Sequence, residues 1–197
     1  MPVTSVSRRV RRSGTNWYLP VLIFDDGWTA LEVLGSAVKD PIADRRSAPE
    51  RWARWRKTGG VYEYEDEDGT WAELNDEEHA PLSAGTTLGG TYESLVVSES
   101  GDSVFIRSRT IDLYKDSTFS MNASSSSTYE HMPVGAGSYS KDSYGTYAID
   151  GYLLTLRFSD GSVAYRGIVR ASEGKLAGEI IYLEDSVYCL HQSDGSC

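Results

Sequence analysis

The residues best able to do chemistry in this chain are three histidines (His79, His131 and His191) and two cysteines (Cys189 and Cys197). An imidazole can act as a general base or bind a metal ion, and a thiolate can act as a nucleophile or a metal ligand. A structural zinc site needs three or four such ligands, often at short spacings, and these residues are scattered through the chain. We therefore predict no metal site, and we assign no catalytic residue.

The pair Glu130 and His131 is the exception, because an adjacent carboxylate and imidazole could share a proton. Together with a tyrosine in a cavity, this pair supplies the acid and base candidates for an enzyme. The chain has no Gly-x-Ser-x-Gly elbow, no P-loop and no dinucleotide fingerprint, which are motifs of common hydrolases, nucleotide-binding proteins and dehydrogenases. We predict no cofactor, and a non-catalytic protein is the preferred interpretation.

Residues 63–78 contain nine acids and no base, which makes a calcium loop the first hypothesis to test. An EF-hand loop has a glycine at its sixth position and side-chain oxygen ligands at its first and twelfth positions. With Gly69 in the sixth place, Tyr64 would be first and Asn75 twelfth, and neither is a carboxylate. We predict a solvated hairpin tip here rather than a specific metal site.

Length and charge limit the classes of partner. A chain of 197 residues can bury a core without obligatory disulfides, and we expect free thiols at Cys189 and Cys197, with pairing left open. The net charge of −10 argues against a nucleic-acid partner. No apolar run reaches the roughly 20 residues of a membrane span. No secretory hydrophobic region follows the basic residues 8–12, so the cytoplasm is favoured as the compartment.

The strongest structural signal is one strand in which every second residue is large and apolar, namely Tyr152, Leu154, Leu156 and Phe158. This alternation is typical of a strand with one buried face. Asp-Gly pairs at residues 150–151 and 160–161 flank the strand, and Asp-Gly favours the two-residue type I′ turn of a tight hairpin. Pairing through the second turn would put Val163, Tyr165 and Val169 on the same face.

From residue 88 onward the sequence predicts mainly β structure. Extended segments separated by local turns suit an eight-stranded up-and-down barrel over residues 88–197. The serine-rich residues 124–128 are expected to form a mobile loop near one mouth of this barrel. The predicted strands are 90–97, 104–114, 118–123, 137–149, 152–158, 162–170, 176–183 and 187–191.

The part of the chain before the barrel divides into an arm and a small subdomain. Residues 1–15 are polar and basic, and we predict a disordered arm. Residues 16–80 contain all five tryptophans and are predicted to form a small Trp-rich α+β subdomain. Two hairpins in this subdomain are expected to turn at Asp26-Gly27 and Asp68-Gly69.

A helix is predicted between these two hairpins. Residues 47–50, Ser-Ala-Pro-Glu, fit a capping box, which predicts a helix over residues 48–57. Trp52 and Trp55 are three residues apart and would share one face of this helix. We expect both indole rings to pack against the first hairpin, so that hairpin, helix and second hairpin share a core.

Several segments resemble known barrel proteins. The segment LGGTYE at residues 88–93 is similar to the first strand of the lipocalin and calycin barrels, with Tyr92 in place of the tryptophan of their Gly-x-Trp. The segments YLPVLIFDDG, RWARWRK, DGTW and GTYAIDGYLLTLRFSDG together resemble a group of uncharacterised bacterial lipocalin-like proteins. The resemblance implies a lipocalin-like, calycin-type barrel, and it carries no activity and no catalytic residue.

The barrel interior is the predicted site. An eight-stranded barrel either fills with side chains or holds one small ligand, and tyrosines suit an amphipathic ligand. We expect a non-catalytic binding or interaction module that holds such a ligand in the barrel mouth. The alternatives are an enzyme that uses the barrel as a reaction chamber, and a structural or assembly protein that binds a protein partner through the Trp-rich subdomain. The predicted ligand-binding residues are Tyr147, Tyr152, Leu154, Leu156, Phe158, Tyr165 and His131.

Overall fold

The computed structural model describes residues 2–12, 15–100, 103–129, 139–171, 179–184 and 186–191. These residues form mainly β structure, with two short helices, α1 (Gly35–Lys39) and α2 (Pro41–Ser47), and a 3-10 turn at Pro49–Arg51. The strands are β1 (Pro2–Arg12), β2 (Thr15–Phe24), β3 (Trp28–Ala30), β4 (Trp52–Thr58), β5 (Val61–Glu65), β6 (Trp71–Glu73), β7 (Asn75–His79), β8 (Gly90–Ser100), β9 (Ser103–Leu113), β10 (Thr118–Tyr129), β11 (Tyr139–Asp150), β12 (Leu153–Phe158), β13 (Val163–Arg170), β14 (Ile180–Leu183) and β15 (Ser186–Leu190).

The strands form a seven-stranded sheet and a closed barrel. The sheet has the order β6-β5-β4-β3-β2-β1-β7, and the barrel has the order β10-β11-β12-β13-β14-β15-β8-β9. Each barrel strand lies beside its neighbour in the chain, and β15 pairs with β8 to close the ring. The prediction of a mainly β protein with an eight-stranded up-and-down barrel is confirmed.

Two compact units divide the chain. The seven-stranded sheet and both helices belong to the first unit, and β8, β9 and β10 belong to the second. The predicted domain boundaries, residues 16–80 and 88–197, stay a prediction. The first unit comprises Met1–Thr86, Ile149–Thr155 and Tyr165–Val187, and the second comprises Thr87–Ala148, Leu156–Ala164 and Tyr188–Cys197.

Strand β1 corrects the prediction of a disordered arm over residues 1–15. Residues Pro2–Arg12 pair with β2 on one side and with β7 on the other, so β1 is an interior strand of the sheet. Val6 and its neighbours Ser5 and Ser7 are buried. The arginines suggested a solvated tail, but hydrogen bonding along both edges of β1 and the burial of Val6 stabilise an ordered strand.

The predicted helix over residues 48–57 is wrong, because residues 52–58 form strand β4. Ser47 is the last residue of α2, and its hydroxyl donates a hydrogen bond to the Asp44 carbonyl instead of capping a new helix. Within a strand, residues three apart lie on opposite faces, which separates Trp52 from Trp55. No helix in the described part of the chain is long and apolar enough to cross a membrane.

The two tryptophans of β4 pack into different cores of the first unit. Trp52 joins a cluster that includes Leu22 and Phe24, with its ring centroid 5.1 Å from that of Phe24. Trp55 packs on the cluster that includes Val6 and Val21, and its Nε1 donates to the Phe24 carbonyl at 2.8 Å. Both indole rings therefore contact the first hairpin as predicted, but from opposite faces of the sheet.

One turn design recurs in both units. In each copy an aspartate accepts a hydrogen bond from the backbone N–H two residues later, and the residue between them has positive φ. The N–H of that middle residue donates to the carbonyl two residues before the aspartate. This is a three-residue loop with one left-handed residue, whereas a type I′ turn has two. Among the residues that the structure describes, the copies are Asp26-Gly27, Asp68-Gly69, Asp116-Ser117 and Asp160-Gly161.

Ser117 occupies the left-handed position of this turn with a φ of 67°, where the other three copies have glycine. A residue with a side chain pays roughly 1 to 2 kcal/mol in this conformation, and the flexibility that glycine adds to the unfolded chain offsets part of that cost. We expect Ser117→Gly to raise the free energy of unfolding by about 0.5 to 1 kcal/mol, and Gly161→Ser to lower it. Urea unfolding measures the free energy of unfolding of both variants. A change of the same sign in the two variants would contradict the left-handed conformation of Ser117.

The barrel strands agree with the predicted number, and one predicted loop is wrong. Residues 124–128 belong to β10, which pairs with β9 without interruption from Phe119 opposite Leu113 to Tyr129 opposite Ser103. A serine-rich composition correlates with loops, but Ser and Thr also fit a strand whose backbone groups are paired. The expected mobile loop at the barrel mouth is therefore strand.

Cys189 lies in β15 and is disulfide-bonded. The expectation of a free thiol is therefore wrong for Cys189. Cys197 lies outside the described residues.

Candidate functional site

Tyr147, a predicted ligand-binding residue, has its hydroxyl occupied by the backbone. The hydroxyl accepts a hydrogen bond from the Leu88 N–H at 2.9 Å and lies within bonding distance of the carbonyls of Leu88 and Tyr114, at 2.9 and 3.0 Å. Burial raises the pKa of Tyr147, and the hydrogen bond from Leu88 partly opposes this rise. Because a phenol has one proton to donate, these contacts leave its donor committed to the protein.

Tyr152 lies in the core of the first unit. It belongs to the cluster of Leu22, Phe24 and Trp52, and its hydroxyl donates to the His79 carbonyl. Burial raises the pKa of Tyr152 to about 12, so the phenol keeps its proton at neutral pH. The structure therefore places Tyr152 as a packing residue of the sheet.

The alternation predicted for β12 is confirmed. Leu154 and Leu156 are fully buried, Phe158 is half-buried, and the residues between them are more exposed. The Phe158 ring meets the Phe119 ring edge to face, with centroids 5.3 Å apart. Paired aromatic rings in this arrangement contribute about 0.5 to 1.5 kcal/mol beyond their buried area.

Tyr165 lies on a different face from the one that we predicted. The Phe158 N–H donates to the Ser162 carbonyl at 2.9 Å, and the Ile168 N–H donates to the Tyr152 carbonyl at 2.8 Å, so the members of each pair lie opposite each other. The two-residue turn that we predicted would have shifted this pairing by one residue. A shift of one residue reverses the face of every side chain in a strand. Tyr165 therefore lies on the face opposite to that of Leu154, Leu156 and Phe158.

The face of β13 that carries Tyr165 packs against the segment around α1 within the first unit. The Lys39 ammonium lies 3.5 Å from the centroid of the Tyr165 ring, and Val169 packs in the same cluster as Val33. Gly35 lies so close to the Tyr165 backbone that a Cβ atom would not fit there. Val163, also predicted to face inward, is 41% exposed.

The acid and base candidates, Glu130 and His131, lie outside the described residues, so the proton-sharing pair stays a prediction. Among the described residues a different histidine meets a serine: His79 Nε2 lies 3.2 Å from Ser7 Oγ. Both residues are only 1% exposed. A serine nucleophile must reach its substrate, so this buried pair is a structural hydrogen bond.

Metal-ligating side chains do not gather in the described part of the chain. No group of three or more His, Cys, Asp or Glu residues that could hold a metal ion is found among the residues described. In the acidic residues 63–78, Glu78 accepts a hydrogen bond from Tyr62 at 2.7 Å and pairs with Lys57 at 3.4 Å. The hydrogen bond from Tyr62 and the pairing with Lys57 hold the pKa of Glu78 below its ordinary value.

Cations stack on aromatic rings of the seven-stranded sheet. The guanidinium groups of Arg54 and Arg45 lie 4.0 and 4.6 Å from the centroid of the Trp28 ring, and that of Arg56 lies 4.0 Å from the Trp71 ring. Arg56 also forms a 2.6 Å ion pair with Glu63. This is the surface on which the assembly alternative would depend, and that alternative stays a prediction.

The barrel strands β8–β11 share an inner face, defined by the buried side chains of Tyr92, Ile111 and Phe119. The pairing registers of these strands run without a shift, so every second residue stays on this face. Residues opposite each other on this face form four successive rungs. The rungs are Gly90, Leu113, Phe119 and Gly145; Tyr92, Ile111, Met121 and Ser143; Ser94, Arg109, Ala123 and Lys141; and Val96, Arg107, Ser125 and Tyr139.

Residue size and polarity change along this inner face. The first two rungs bury Leu113, Phe119, Tyr92 and Ile111 almost completely. The third rung places the small residue Ser94, which is 6% exposed, beside Arg109, which is exposed to solvent. The described side chains of the inner face therefore change from the large apolar residues of the first two rungs to Ser94 and Arg109 in the third.

Comparison with protein-family models, with curated proteins and with solved structures finds no match to this chain. Tyr147 and Tyr152, two of the three tyrosines predicted for the ligand, are committed to backbone groups at different places in the fold. The third rung, which the sequence did not single out, is where the described interior changes from apolar to polar.

Proposed function

We propose that this protein is a non-catalytic binding module with a lipocalin-like barrel, which holds a small amphipathic ligand beside Ser94 and Arg109 on its inner face. The observation that supports this proposal is the change from the buried Tyr92 and Ile111 to the small residue Ser94 and the exposed Arg109 one rung later. A ligand that is apolar at one end and polar at the other would meet both kinds of surface within two adjacent rungs.

The enzyme alternative has less support from the described residues. Its acid and base, Glu130 and His131, lie outside them. The buried hydrogen bond between Ser7 and His79 has no solvent-exposed member.

Native mass spectrometry of the purified full chain tests the proposal. We expect a fraction of the protein to carry a small organic molecule that denaturation releases. Ser94→Phe should remove this adduct, because the larger ring would occupy the space beside the third rung. Thr110→Phe is the matched control, since Thr110 adjoins Arg109 in β9 and lies on the other face of the strand.

Circular dichroism checks that both variants fold before their adducts are compared. Loss of the adduct in the folded Ser94→Phe protein, with retention in Thr110→Phe, supports the proposal. An equal adduct in both variants, or no bound molecule and no uptake of any amphiphile by the wild-type chain, contradicts it.

A further inference from the structure

The second rung of the inner face is buried on one side and partly exposed on the other. Its residues are Tyr92, Ile111, Met121 and Ser143, in order across β8–β11. Tyr92 and Ile111 are almost fully buried, whereas Met121 and Ser143 are half-buried and keep part of their surface exposed. This rung is therefore open at β10 and β11, within the second unit.

The exposed surface of Met121 lies one rung from Arg109. Met121 is directly opposite Ile111, and Ile111 is two residues from Arg109 along β9. Two residues of a strand span about 7 Å. A ligand held beside Ser94 and Arg109 would therefore reach Met121 with an apolar group of about this length.

The first rung is packed with side chains and backbone. Leu113 and Phe119 are almost fully buried, and the Phe119 ring meets the Phe158 ring edge to face. At Gly145, on the same rung, a Cβ atom would overlap the carbonyl oxygen of Arg157, so the backbone of β12 occupies this space. An apolar group that enters beside Met121 therefore meets a filled rung about 7 Å further on.

The side chains at the open part of the second rung suit contact with a small apolar group. Methionine is unbranched and polarizable, fills irregular gaps and contacts aromatic rings favourably through its sulfur. Ser143 is small, and it lies directly opposite Met121 in the β10–β11 pair. Met121 thus offers an adaptable apolar surface, and its cross-strand neighbour takes up little space.

We propose that Met121 and Ser143 contact the apolar part of the ligand, and that the packed first rung limits this part to a chain of about five or six carbons, which spans about 7 Å when extended. The inference rests on the proposed function and adds the contact residues and the size of the apolar group. The ligand class is therefore a short-chain amphiphile and not a long-chain lipid.

NMR of the full chain with isotope-labelled methionine methyl groups tests the contact. The chain has 3 methionines, and the signal that is lost in Met121→Leu is that of Met121. We expect hexanol, with its hydroxyl group at the chain end, to shift the Met121 signal until the site is saturated. An unshifted Met121 signal in a sample that binds hexanol by isothermal titration overturns the inference.

The same NMR titration with butanol, hexanol, octanol and decanol tests the size limit. We expect the affinity to rise about 15-fold from butanol to hexanol, which corresponds to about 1.6 kcal/mol for two buried CH₂ groups. From hexanol to decanol it should rise by less than about threefold, whereas continued burial of four further CH₂ groups would give about 200-fold. A rise of threefold or more over this second interval overturns the size limit.

Met121→Trp should weaken hexanol binding, measured by isothermal titration, at least about tenfold, because the larger ring would occupy the space of the apolar group. Asn122→Trp is the matched control, since Asn122 is the next residue of β10, is exposed and lies on the outer face. If Met121→Trp fails to fold by circular dichroism, Ser143→Trp provides the same comparison. An unchanged hexanol affinity in the folded variant overturns the inference.

The outcomes separate this inference from the proposed function. Affinity that keeps rising up to decanol and is abolished by Ser94→Phe would retain a binding module and overturn the size limit. A co-purified molecule that Ser94→Phe removes and Met121→Trp retains would overturn the contact with Met121 alone. No co-purified molecule and no binding of any of the four alcohols would overturn both proposals.

Discussion

Leu156→Arg is expected to leave the protein largely unfolded at room temperature. Leu156 is 1% exposed in β12, between Thr155 and the exposed Arg157. An unpaired guanidinium at a fully buried site costs several kcal/mol, and typical domains are stable by about 5 to 15 kcal/mol in total. The substitution would therefore consume most of the stability of the barrel.

Circular dichroism and urea unfolding measure this effect. Thr146→Arg is the matched control, because it introduces the same side chain at an exposed strand position, and it should change the free energy of unfolding by less than about 1 kcal/mol. Wild-type stability of Leu156→Arg would mean that Leu156 does not face the barrel interior.

Trp52→Ala should lower the free energy of unfolding by about 3 to 5 kcal/mol through lost packing. Trp52 is 7% exposed in the cluster of Leu22 and Phe24. Its Nε1 also donates to the buried carboxylate of Asp44 at 3.0 Å, and Arg51 lies 3.6 Å from the same carboxylate. Removal of the indole thus adds the cost of a buried acceptor that has lost one partner.

Two control variants separate these contributions. Trp52→Phe keeps an aromatic ring and removes the hydrogen bond, so we expect a loss of about 1 to 3 kcal/mol. Trp71→Ala removes a half-buried indole that stacks on Arg56, and its cost should be smaller than that of Trp52→Ala. A loss below about 1 kcal/mol for Trp52→Ala would contradict the burial of this side chain.

Short-range patterns predicted the barrel, and the misassigned elements depend on information that such patterns lack. Alternation in β12 is visible within six residues, and each barrel strand pairs with its neighbour in the chain. The segment of β4 has tryptophans at helical spacing, yet the two rings pack in separate cores, one on each side of the sheet. Its strand conformation is set by distant partners that a capping pattern cannot reveal.

The face of Tyr165 was assigned wrongly for a different reason. Asp160-Gly161 is compatible with a two-residue turn and with a three-residue loop, and the φ of the aspartate distinguishes them. In this chain Gly161 alone of the pair has positive φ. The sequence Gly59-Gly60 adopts positive φ at both positions, and it joins β4 to β5 by the two-residue turn that we had expected at Asp-Gly.

The candidate site was only partly predictable. Tyr147 and Tyr152 were correctly expected to be buried, but their hydroxyl partners, Leu88 and His79, are about 60 to 70 residues away in the chain. The inner-face position of Arg109 could have been found from the sequence. The alternation rule that we applied to apolar residues also separates Arg109 from Asp112 once the strand is recognised.

The interior position of β1 has a consequence for synthesis of the chain on the ribosome. The β1–β2 hairpin can form from local contacts soon after Phe24 emerges, but the other edge of β1 pairs with β7, where Ser5 lies opposite His79. For the time needed to make more than 50 further residues, that edge presents unpaired backbone donors and acceptors, which are a template for pairing with another nascent chain. At bacterial or eukaryotic rates of about 5 to 20 residues per second, this interval lasts a few seconds or longer. Arg8 and Arg9 give β1 a positive charge while its second edge is unpaired. Like charges on two such chains oppose their association.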